Sequence, residues 1–133
     1  MRIVFDTNLL ISAVFFGGKP HELLNLIRQG VVDVVVTSEI LLEYEKSITK
    51  FSKAEDIGTH WREYFYEFGV LVDVKRKFSI CRDPDDNKFL DAAHAGKVDF
   101  IVSGDKDLRD IKNFHIPIVN VAEFLTRIKA ENS

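Results

Sequence analysis

The chain has 133 residues, 46% of them hydrophobic and 29% charged, which is the make-up of one globular domain spanning 1–133, large enough to bury a core without staples. Its formal net charge of −3 argues against a protein held on nucleic acid by bulk positive charge, although an enzyme can meet RNA through a bound cation. No apolar run approaches the roughly 18 residues of a membrane helix, Met1–Asp6 lacks the h-region of a signal peptide, and Cys81 stands alone, so a cytoplasmic protein with no internal disulfide and no membrane association is expected.

Met1–Phe5 is a continuous apolar run and reads as a strand buried on both faces. Leu9–Val14 and Pro20–Gln29 have helical spacing, split by Phe16-Gly17-Gly18, and Gly30 fits a C-cap. Val31–Val36 is rich in β-branched residues and reads as a strand. Ser38 is placed to cap a helix running to about Lys50, and a third helix spans roughly Glu55–Phe68, ending at Gly69. Val70–Val74 reads as a strand, Asp83–Ala95 as a helix, Phe100–Val102 as a strand, Asp105–Asp110 as a short helix and Ile116–Val119 as a strand. Pro117 sends that last strand to an edge, and Val121–Lys129 closes the chain as a helix. Strands alternating with helices imply βαβ units and a central parallel sheet covered on both faces, a three-layer α/β/α sandwich.

In such sheets ligands bind beyond the carboxyl ends of the strands. Polar groups cluster there: Asp6 after the first strand, Thr37, Ser38 and Glu39 after the second, Ser103 and Asp105 after Phe100–Val102. Four segments bring acids to this edge, namely Asp6-Thr7-Asn8, the helix with Glu39 and Glu43, Asp83-Pro84-Asp85-Asp86-Asn87, and Ser103-Gly104-Asp105-Lys106-Asp107. Glu39 and Glu43, four apart, share a helix face. Asp86 heads the stripe of Phe89, Leu90 and Ala93, whereas Asp85 is turned away from it. Each acid alone has a plain structural role: Asp6, Asp83 or Asp105 can cap a helix, and Asp85 and Asp86 can complement a helix dipole. Jointly they are harder to explain that way, since two like charges about 4 Å apart repel by roughly 4 kcal/mol at an effective dielectric of 20. An all-oxygen set of this kind suits a hard cation, Mg²⁺ or Mn²⁺. The reading requires the acids to meet in space, with none consumed by an internal salt bridge.

Asp6-Thr7-Asn8 at the end of the first strand, an acid in the helix after the second, the Asp-x-x-Asp-Asn-x-x-Leu-x-x-Ala stretch from Asp83 to Ala93, and Val102-Ser103-Gly104-Asp105-Lys106-Asp107-Leu108 together resemble the PIN-domain family, over roughly residues 1–125. The resemblance is nearest to the VapC-like toxin components of toxin–antitoxin pairs. It implies a metal-dependent endoribonuclease with Asp6, Glu43, Asp86 and Asp105 as the acidic quartet holding Mg²⁺ or Mn²⁺. Asn8 and Ser103 are the polar residues beside it, and Asp107 a further acid nearby. Glu39 competes with Glu43 for its place, and Asp83, Asp85 or Asp91 with Asp86. The implied chemistry is hydrolysis of an RNA phosphodiester, leaving 5′-phosphate and 3′-hydroxyl ends, and the implied partners are RNA, an antitoxin protein and a second copy of the chain. A catalytically inactive interaction protein on the same fold, or an RNA-processing nuclease with no toxin role, is the alternative.

Other features weigh less. His21, His60, His94 and His115 lack metal-ligand spacing. Trp61, Phe65 and Phe68 fall at helical spacing and read as core or dimer packing rather than base-stacking groups, Lys75-Arg76-Lys77 as a solvated strand end, and Leu9, Leu10, Phe15 and Phe16 as core or as a patch for a partner. A haloacid-dehalogenase phosphatase also begins with a strand ending in Asp but needs a second Asp where this chain has Asn8.

Overall fold

The structure is a computed structural model and describes residues 1–131. Among these, five strands form one parallel sheet: β1 (Arg2–Phe5), β2 (Asp33–Val36), β3 (Val70–Leu71), β4 (Phe100–Val102) and β5 (Ile118–Val119), in the order β3-β2-β1-β4-β5. The chain grows outward from β1 to β2 and β3, then returns to the other side of β1 for β4 and β5. The crevice where that direction reverses lies between the carboxyl ends of β1 and β4. These strands are in register, with Ile3 beside Phe100, Val4 beside Ile101 and Phe5 beside Val102.

Among the described residues seven α-helices clothe the sheet: α1 (Thr7–Phe15), α2 (Gly18–Arg28), α3 (Ser38–Ser52), α4 (Glu55–Phe68), α5 (Asn87–Ala95), α6 (Lys106–Arg109) and α7 (Val121–Glu131). β1 is central, and Ile3, Val4 and Phe5 are all buried, which accounts for its unbroken apolar run. Helix α5 lies on β1, β2 and β4, while α3 packs against both α4 and α1. Gly30 ends α2 as expected. It stands at φ 77°, its N–H donates to the Ile27 carbonyl at 3.1 Å, and the Val31 N–H donates to the Leu26 carbonyl at 3.0 Å, a Schellman motif. Gly58 has a different purpose: a Cβ there would stand 2.0 Å from Thr49 Oγ1 and 2.8 Å from the Glu45 carbonyl, so α4 can cross α3 this closely only without one.

Several elements depart from the sequence-based expectation. β2 starts at Asp33, because Val31 is spent closing the Schellman turn. β3 stops at Leu71 rather than Val74. It is an edge strand with only β2 beside it, and after the Val72 N–H bonds to Val36 the segment carrying Lys75-Arg76-Lys77 leaves the sheet. Phe68 is 63% exposed although Trp61 and Phe65 are buried: the sheet is too narrow at β3 to cover the last turn of α4. Leu9 and Leu10 are core, whereas Phe16 lies outside. The segment from Asp83 is a 3₁₀ turn, Pro84–Asp86, before the α-helix proper starts at Asn87.

Candidate metal centre at the sheet switch point

Asp6 directly follows β1 and is 5% exposed. Its Oδ1 accepts the Leu9 N–H at 2.9 Å, capping α1, and its Oδ2 accepts a hydrogen bond from the Ser103 hydroxyl. The capping role and a place in the crevice therefore belong to the same side chain. Burial pushes the Asp6 carboxyl above its ordinary range, opposed by the Ser103 and Leu9 hydrogen bonds and assisted by the charge on Asp105. Ser103, fully buried after β4, also accepts the Asp105 N–H at 2.9 Å and so ties the ends of β1 and β4 together. Asp105 caps α6, its Oδ1 accepting the Asp107 N–H at 2.9 Å.

Asp86 comes from the 3₁₀ turn. Its carboxylate makes no capping bond to α5. Burial first, then the charges of Asp83, Asp105, Asp6 and Glu43, push its pKa up to about 6. Glu43 comes from α3. Beside it, Tyr44 is fully buried, and its hydroxyl donates to the Phe5 carbonyl at 2.6 Å, just where β1 and β2 cease to pair. That bond pins the end of the strand carrying Asp6 to the helix carrying Glu43.

Asp6, Asn8, Glu43, Asp83, Asp85, Asp86 and Asp105 line one open cleft of about 250 Å³, together with Thr7, Ser47 and Phe89. All four members of the expected quartet thus face the same space. Asp85 lines it too, against expectation, because the tighter 3₁₀ turn rotates it from where an α-helix would have put it. Glu39 is exposed and Asp91 is buried away from the cleft, where it accepts the Phe78 N–H at 2.7 Å. Asp107 sits at the margin, 3.8 Å from Arg82 Nη1. The histidines are elsewhere; His94 and His115 pair with each other at 3.1 Å in an aromatic cluster with Phe78 and Phe114.

One condition is not met. Glu43 Oε1 forms an ion pair with Lys88 Nζ at 2.5 Å, and its Oε2 accepts a hydrogen bond from the Thr7 hydroxyl. The side chain nonetheless stays on the cleft wall, 29% exposed. Lys88 was not singled out in the sequence; its nearest signal is its place directly after the Asp83–Asn87 run. Among the described residues no group of three or more His, Cys, Asp or Glu side chains stands in a ready metal-binding arrangement. The donor chemistry nevertheless fits a hard cation: the donors are all oxygens, they come from four separate segments, and the ionised form of Asp86 is disfavoured by its neighbours.

A parallel sheet with an acid-lined crevice at its switch point is the architecture of an α/β protein that gathers its polar groups beyond the strand ends. The comparisons name the family: the PIN domain pattern matches residues 2–107, and the chain belongs to the PIN-domain family, whose members are generally nucleases. An uncharacterised protein of Methanocaldococcus jannaschii is 31% identical over 140 residues, covering 94% of this chain and 90% of its own length. Among solved structures, VapBC2 from Rickettsia felis, bound to a DNA fragment from its promoter, superposes with a TM-score of 0.65 at 17% identity, over 90% of this chain and 98% of the matched one. PAE2754 from Pyrobaculum aerophilum gives 0.62 at 11% identity, over 97% and 89%. Among the described residues no helix is long and apolar enough to cross a membrane.

Proposed function

We propose that this protein is a divalent-metal-dependent endoribonuclease and the toxin of a toxin–antitoxin pair. The observation that carries the reading is the cleft: Asp6, Asp86 and Asp105, from three segments of a PIN-family chain, line one space at the sheet's switch point, with Glu43 on the same wall although Lys88 pairs with it. Asp6, Asp86 and Asp105 are the residues that would hold Mg²⁺ or Mn²⁺, with Glu43 as the fourth acid of the site. Bound there, the ion supplies charge neutralisation at the phosphodiester and an activated water.

The protein's own groups do the positioning. Ser103 fixes the Asp6 carboxylate through its hydroxyl and the Asp105 backbone through its oxygen, so two ligands are preset by one buried side chain. Asn8, exposed at the rim, presents an amide that donates to a phosphate oxygen of the RNA. Ser47 and Thr7 add hydroxyl donors along the wall. The likeness to VapBC2 supports an antitoxin partner, and an RNA substrate and a homodimer follow from the same family reading.

The test is incubation of purified protein with single-stranded and structured RNA in Mn²⁺, in EDTA, and with Asp6→Asn, whose fold is checked by circular dichroism. Cleavage in Mn²⁺, lost in EDTA and in the variant, is expected. Cleavage persisting in EDTA overturns the metal reading. No cleavage and no Mn²⁺ binding leaves a binding protein on a nuclease fold. Growth arrest on expression, relieved by the product of an adjacent small reading frame, separates a toxin from a processing enzyme.

A further inference from the structure

Lys88 pairs with Glu43, one of the acids on the cleft wall. It stands in the first turn of α5, two residues beyond Asp86, and its side chain is only 11% exposed. Its ammonium reaches 45 residues back in sequence to Glu43 Oε1 at 2.5 Å, while the Thr7 hydroxyl occupies the other Glu43 oxygen. Asp85 and Glu39 add negative charge around it. Among the described residues Asp6, Asp86 and Asp105 have no such cationic partner: Asp6 is bonded by a hydroxyl and an amide, Asp105 caps a helix, and Asp86 makes no capping bond. The acids of the cleft are therefore unlike: Glu43 is neutralised by an ammonium, and the other three are not.

From this difference we infer that Lys88 is a built-in counter-ion that keeps Glu43 from drawing a metal, so that the cleft takes a single divalent ion, on Asp6, Asp86 and Asp105. The inference rests on the metal-site reading above and specifies it. An ammonium is a compact point charge that can stand where a hydrated metal would otherwise be drawn. It also repels a second divalent ion brought to Glu43, whose two oxygens are both occupied. Glu43 then acts as a positioning residue, holding Lys88 against the site, and is not a metal ligand.

Mn²⁺ binding, counted from the loss of the free-ion electron paramagnetic resonance signal, tests this on wild type, Lys88→Met, Lys88→Arg, Glu43→Gln and Asp86→Asn. Thermal unfolding of each metal-free protein is recorded alongside. One ion is expected in wild type and in Lys88→Arg, and two in Lys88→Met, which also unfolds earlier without metal because Glu43 has lost its partner. Glu43→Gln keeps the ion, whereas Asp86→Asn loses it. Two ions in wild type, one in a folded Lys88→Met, or loss of the ion in Glu43→Gln overturns the inference while leaving the metal site standing. No ion in wild type overturns the metal-site reading itself. Should Lys88→Met fail to fold, the wild-type count and Glu43→Gln decide.

Discussion

Replacing Asp86 by Asn removes one charge from the cleft without removing any capping hydrogen bond, since the Asp86 carboxylate makes none to α5. The folded protein raises this carboxyl from 3.8 to about 6, first by burial and then by the charges of Asp83, Asp105, Asp6 and Glu43. At ~1.4 kcal/mol per pH unit the ionised form costs the fold at most ~3 kcal/mol. Asp86 is only partly buried, and screening by solvent brings the figure to about 1–2 kcal/mol. An acid whose folded-state pKa is raised binds its proton more tightly when folded. Its cost is therefore fully present above about pH 6 and is relieved as the pH falls toward 3.8. Metal-free Asp86→Asn should accordingly unfold about 3–8 °C above wild type near neutral pH, and this advantage should shrink as the buffer is taken below pH 6. With Mn²⁺ the order reverses, because a ligand that binds only the folded state stabilises wild type and not the variant. Thermal melts followed by circular dichroism, with EDTA or Mn²⁺ at two pH values, contain both comparisons. A metal-free variant less stable than wild type would mean that Asp86 is a structural residue, and equal gains from Mn²⁺ would remove it from the metal site.

Tyr44→Phe keeps the ring stacked on Phe5, with centroids 5.6 Å apart, but leaves the buried Phe5 carbonyl without its donor. A loss of about 1–3 kcal/mol is expected in urea unfolding, together with weaker Mn²⁺ binding as the Asp6 strand end loosens; unchanged stability would show that the hydrogen bond contributes nothing. Gly58→Ala should destabilise by about 1–3 kcal/mol despite alanine's better helix propensity, because the new methyl meets Thr49 Oγ1 and the Glu45 carbonyl. A neutral or stabilised variant, read from the same urea curves, would mean that the α3–α4 crossing yields.

The layout of the fold was readable because it depends on patterns that a linear chain displays openly. Ile3-Val4-Phe5 is uniformly apolar because β1 is covered on both faces, and Pro117 marks an edge because it has no N–H to give. Asp6 and Asp105 could be placed at one edge because they follow β1 and β4, and the carboxyl ends of a parallel sheet lie on one side; Glu43 and Asp86 come from a helix and a turn. Other features depend on reach across the sequence. Lys88 is an unremarkable residue until its four-carbon stem is seen to span from α5 to α3, and Tyr44 looks like any core aromatic until β1 and β2 diverge and free the carbonyl that it satisfies. β3 ends early and Phe68 lies outside the core, keeping only the packing-surface half of its reading, for one cause: apolar spacing shows which face turns inward, not how far the sheet extends to receive it.

The strand order also governs when the molecule can first act during its own synthesis. β1 is made before the other four strands, yet its neighbour β4, with Ser103 and Asp105, is made some hundred residues later, and β5 later still. Until then Asp6 lacks the hydroxyl that orients it and the acid that faces it across the crevice. A chain that has not yet reached β4 thus holds the acids of the crevice only in part, and no chemistry that needs them together can begin before the sheet is complete.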